Sequence, residues 1–92
     1  MFDIKCTVKS VKGSCAAGYK KGDHFFIRGG VMIEAGEPRG LCMFALPALL
    51  PYLTAYCRET PESDWINSKR ELQCPDNDNA VVFGIERIGD RC

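Results

Sequence analysis

The sequence predicts an α+β fold: a small antiparallel β-sheet of about four strands, in the order β-β-α-β-β, with one main helix packed on one face. Three observations carry that prediction. Residues 3–11 alternate apolar and polar side chains, the period of a half-buried strand. Between Gly40 and Arg58 the apolar residues Cys42, Ala45, Leu46, Leu49, Leu50, Leu53, Tyr56 and Cys57 recur at steps of three and four, the period of one buried helical face. A second alternating run, Ala80–Ile88, closes the chain. A small β-barrel with a helical lid is the alternative that the same segments allow.

In the first strand Ile4, Cys6 and Val8 share one face, and Lys5, Thr7 and Lys9 the other. Gly13, Ser14, Gly18 and Gly22 then mark a loop that contains Cys15. His24–Arg28 is the second strand, followed by a Gly29-Gly30 turn and a short return over Val31–Ile33. Glu34–Arg39 reads as a loop leading to the helix. Pro47 and Pro51 leave two arrangements open there: a turn at 42–46 before a helix beginning near Pro47, or one longer helix kinked at Pro51. Both keep Leu49, Leu50, Leu53 and Tyr56 inward. After it, residues 59–67 form an exposed loop with Trp65 as its anchor on the core. Lys69–Cys74 is a weak strand, residues 74–79 a dense turn, and the last strand faces Val81, Phe83 and Ile85 one way and Val82 and Ile88 the other.

Ninety-two residues make one domain, 1–92, since a second core would be too small to bury. Twelve basic and twelve acidic residues cancel and alternate along the chain, so no basic patch for nucleic acid is visible. Near-zero charge permits self-association, and a homo-oligomer or protein partner is expected rather than nucleic acid or membrane. The first residues lack a secretory pattern, and the longest apolar run is broken by prolines and shorter than the ~20 residues that span a bilayer. Both features point to a cytoplasmic protein, in which six cysteines are core residues, metal ligands or reactive thiols rather than a disulfide framework.

Cys15, Cys42 and Cys74 stand at element ends, where distant segments converge. Cys42 opens the helix, where unpaired amides and the helix dipole favour a thiolate. Three converging thiolates hold zinc with a fourth ligand, or an iron–sulfur cluster with one open iron position. The competing reading is plain space-filling: the chain has no Cys-x-x-Cys pair, and the gaps match no standard metal ribbon. Cys6 and Cys57 are assigned to packing and Cys92 to a free terminal thiol. His24, the one histidine, is a strand-edge residue or a base for Cys15 or Cys42. Tyr19, Lys20, Lys21 and Asp23 read as a polar cluster that faces water or binds a small anion. Asp76 and Asp78 lack the glycine and glutamate of a calcium loop.

Three segments, Cys15-Ala-Ala-Gly18-Tyr-Lys20-Lys-Gly22-Asp23, Gly40-Leu-Cys42 and Cys74-Pro-Asp76, together resemble a family of short prokaryotic conserved-hypothetical proteins of similar length. The resemblance implies that Cys15, Cys42 and Cys74 match the family's recurring cysteines and that Cys6, Cys57 and Cys92 do not. It also marks a departure: histidine is frequent in that family where this chain has Tyr19. The family brings no activity with it. The expectation is therefore a small protein binding zinc or an iron–sulfur cluster through Cys15, Cys42 and Cys74. A homo-oligomeric interaction module with structural cysteines, and a thiol-dependent enzyme with Cys42 as nucleophile, are the rivals.

Overall fold

The first strand is the axis of the fold. In the computed structural model, which describes residues 1–90, β1 (Phe2–Val11) pairs antiparallel with β2 (His24–Arg28) on one side and β5 (Val81–Asp90) on the other. β3 (Met32–Glu37) extends the sheet beyond β2, and β4 (Glu71–Gln73) extends it beyond β5. The order is β3-β2-β1-β5-β4, every pair antiparallel. With β3 and β4 as separate edges the sheet is open, so the barrel alternative does not form.

The α+β class holds, but the sheet has five strands rather than about four. The additional strand is β3, which runs on through Glu37 where the sequence reads as loop. Five of its six residues are exposed, so no alternation of burial exists to announce it.

Alternation places Ile4, Cys6 and Val8 on the inner face, with Phe25 and Ile27 of β2 and Val81, Phe83 and Ile85 of β5 beside them, all buried. One α-helix, α1 (Ala45–Tyr56), covers this face and buries Ala45, Leu49, Leu53 and Tyr56. It begins two residues before Pro47 and continues through Pro51. Pro47 lies in the first turn, where a missing N–H costs little. Both prolines are on the exposed side, so water can serve the carbonyl that Pro51 leaves without a donor.

Trp65 is not the anchor of the following loop. It opens a short 3₁₀ turn, Trp65–Ser68, in which Ile66 is the buried residue and Trp65 is 61% exposed. Asp64 caps that turn by accepting the Ile66 N–H at 3.0 Å. The Trp65 ring rests edge-on against Tyr52, with the Lys69 ammonium 5.7 Å from its centre. Arg87 ties the far end together: its guanidinium donates to the Tyr56 carbonyl and to Asn67 Oδ1, each at 2.9 Å, and lies over the rings of Phe2 and Tyr56. No helix among the described residues is long and apolar enough to cross a membrane. Cys92 lies outside the described residues.

Candidate functional site

Three loops meet where β1 ends and β5 begins, and each brings one cysteine. The first leaves β1 at Lys12, whose N–H donates to the Ala80 carbonyl at 2.8 Å. Gly13 follows with a φ of +69°, and a side chain there would collide with Asn79 Oδ1, so both conformation and space require glycine. Ser14 N–H donates to that same Asn79 oxygen at 2.9 Å. The Cys15 carbonyl then accepts from Gly18 N–H at 3.0 Å, which closes a turn over Ala16 and Ala17.

Beyond it, the residues that sequence reading groups as a polar cluster separate. Asp23 Oδ2 accepts the Lys20 N–H at 2.8 Å and Asp23 N–H donates to the Lys20 carbonyl, so Asp23 builds a turn rather than an anion site. Tyr19 points the other way and is 7% exposed, its ring edge-on to Phe83 at 5.5 Å. Burial pushes the Tyr19 phenol up, partly offset by the Cys42 amide hydrogen bond. The lysine neighbours hide this residue from sequence reading; an isolated buried aromatic in a loop has no period to betray it.

Cys42 caps the helix. Its Sγ accepts the Ala45 N–H at 3.4 Å, its carbonyl accepts the Leu46 N–H at 3.0 Å, and its own N–H donates to the Tyr19 hydroxyl at 3.0 Å. The sulfur thus takes the place of the Ser or Asp oxygen that usually caps the amide three residues on. Phe44, next to the helix, supplies no side-chain cap. Cys42 lies three residues before the first residue of α1, and its sulfur contacts the first amide of that helix.

Cys74 follows β4. Its N–H donates to the Val81 carbonyl at 3.0 Å, and its Sγ accepts the Val81 N–H at 3.2 Å. Two of the three sulfurs thus receive a backbone N–H donor, the contact that a negatively charged sulfur makes best. Asp76 organises the turn that follows: Oδ1 accepts from Asp78 N–H and Asn79 N–H at 2.9 and 3.0 Å. Those two amides, Asn79 first, hold the Asp76 carboxyl below the usual carboxylate range.

Cys15, Cys42 and Cys74 line one cavity of about 310 Å³, walled by Phe44, Pro75, Asp76 and small alanines. Among the described residues no three His, Cys, Asp or Glu side chains stand closely enough to hold a single metal ion as placed. His24 is not part of the cavity. It sits on the opposite face of β2 from buried Phe25, packed beside Phe26 with Nδ1 3.3 Å from the Gly22 carbonyl. The structure therefore does not bring His24 to Cys15 or Cys42. Cys6 and Cys57 are buried away from the cavity, as assigned. A second groove of about 340 Å³ crosses the open sheet face by Lys9, Arg70, Glu71 and Glu86; its charges are mixed and it holds no thiol.

Sequence reading finds the cysteines by their place at element ends but misses Tyr19 and Asn79, which hold them. No model of a known protein family matches the chain, and no curated protein or solved structure matches it.

Proposed function

We propose that this protein holds a sulfur-ligated metal centre between Cys15, Cys42 and Cys74, an iron–sulfur cluster in first place and zinc in second. The observation that carries the reading is the shared cavity: three cysteines from three loops line one space of about 310 Å³. As placed, the three sulfurs form no group that holds a single ion, so ligation of either kind requires the loops to draw them together. Backbone donors at the sulfurs of Cys42 and Cys74 supply the outer contacts that tune such centres.

Among the described residues no histidine lines the cavity, and its one carboxylate, Asp76, accepts the Asp78 and Asn79 amides through Oδ1. A cluster held by the three cysteines alone has one open iron position. The same facts weaken the thiol-enzyme rival, because a nucleophile needs an adjacent base and the cavity lining offers no histidine. The proposal includes the resemblance to the short prokaryotic family, which rests on its motifs alone.

The test is anaerobic reconstitution with iron and sulfide, followed by metal analysis and visible absorption. Bound iron and its charge-transfer absorption should be lost in each of Cys15→Ser, Cys42→Ser and Cys74→Ser and kept in Cys57→Ser. Zinc bound through the same three residues, with no iron, favours the second place; a colourless protein that takes neither metal rejects the reading.

A different observation favours self-association as a further property. Edge strand β3 and the turn before it expose Val31 (80%) and Met32 (64%). Light scattering over a concentration series should show a dimer; a monomer at every concentration removes this reading.

A further inference from the structure

We infer that Tyr19 is the positioning residue of the three-cysteine cavity: its hydroxyl fixes the backbone of Cys42 and so the direction of that sulfur. The inference deepens the metal-centre reading and rests on it. Cys42 lies outside regular secondary structure and is held from two sides. Toward the helix it offers only acceptors, Sγ to the Ala45 amide and the carbonyl to the Leu46 amide. Its own donor goes across the cavity wall to Tyr19, 23 residues earlier. Without that oxygen a part-buried N–H loses its partner, and the segment before the helix is free to turn.

Tyr19 can serve as a reference because its ring is packed into the core. Its ring packs edge-on to Phe83, one of the fully buried side chains, and Phe83 in turn packs against Phe25 at 6.0 Å. The phenol is thus referenced to the sheet. It is also tied to Cys15 by the short turn that the Cys15 carbonyl and Gly18 N–H close. One residue therefore registers two cysteines of three. Ligand sets tolerate displacements of only about 0.5 Å, so such a clamp decides whether the sulfurs can share a centre.

The experiment measures alkylation of each cysteine by mass spectrometry in the metal-free protein at one pH, so it does not depend on metal uptake. In Tyr19→Phe, Cys42 should react about five-fold faster, the equivalent of the ~1 kcal/mol of one lost hydrogen bond, with Cys15 and Cys74 changed less than about two-fold. Phe83→Leu keeps the hydroxyl but loosens the ring it rests on, and should raise Cys42 reactivity less than Tyr19→Phe does. Equal acceleration of all thiols in Tyr19→Phe, or no change at Cys42, overturns the inference. Should Tyr19→Phe not fold, hydrogen exchange in the wild type decides: the Cys42 amide should be protected, and free exchange overturns the proposal. A selective Cys42 effect in a protein that takes up neither iron nor zinc supports the clamp and rejects the metal centre.

Discussion

Asn79 Oδ1 accepts the backbone N–H of Ser14 at 2.9 Å across 65 residues of sequence. This one bond ties the loop of Cys15 to the loop of Cys74. Asn79 is itself held by Asp76, which accepts its backbone N–H. The two loops are therefore one unit, closed over the end of β1 and the start of β5.

Asn79→Ala should destabilise the fold by about 0.5–1.5 kcal/mol, the net worth of one hydrogen bond whose donor is exposed to water. Gly13→Ala should cost as much or more, because its φ of +69° and the neighbouring Asn79 oxygen both reject a side chain. Urea midpoints at unchanged slope measure both. A wild-type midpoint in either variant contradicts this role for the loop junction.

Arg87→Met keeps the aliphatic stem and removes the donors to the Tyr56 carbonyl and Asn67. The expected loss is about 2–3 kcal/mol, from two bonds with a charged donor. Combined with Asn67→Ala the effects should fall short of additivity, since the residues share one bond. Additive losses would separate them.

Much of the fold is legible because burial writes a period into sequence. Ile4, Cys6 and Val8 of β1, and Ala45, Leu49, Leu53 and Tyr56 of the helix, face one core and recur at two and at three to four residues. β3 is hardly legible because an exposed edge imposes no such rule. Trp65 misleads in the opposite sense: its size suggests burial, yet contacts with Tyr52 and Lys69 leave it largely in water. The cavity is legible only as three cysteines at element ends; the distances that join them are set by Tyr19 and Asn79, single loop residues without pattern.

Burial pushes the Cys6 thiol up to about 12 from an ordinary value of 9.0. The unfolded chain ionises near the ordinary value while the folded chain keeps its proton, so above it the folded state binds more protons and stability falls as pH rises. The contribution is intact below pH 9 and is lost progressively between 9 and about 12. Denaturation across that range should show a decline of about 1.4 kcal/mol per pH unit from this residue, absent in Cys6→Ala relative to its own neutral-pH value. An equal decline in both proteins removes Cys6 as the source.

Trp65 is the chain's one tryptophan, so its fluorescence reports one environment. With 61% of the residue exposed, native emission should be close to that of the unfolded chain and quenched by acrylamide at nearly the same rate. Strong shielding in the native monomer contradicts this placement; shielding that grows with concentration places Trp65 in an interface.

The central claim is that Cys15, Cys42 and Cys74 act together on one bound centre. Differential alkylation after anaerobic reconstitution, read residue by residue by mass spectrometry, tests it most directly. The account predicts that these three thiols become protected together, in proportion to bound metal, while Cys92 stays reactive. Unchanged reactivity of the three in the metal-loaded protein, or protection of a different set, would contradict it.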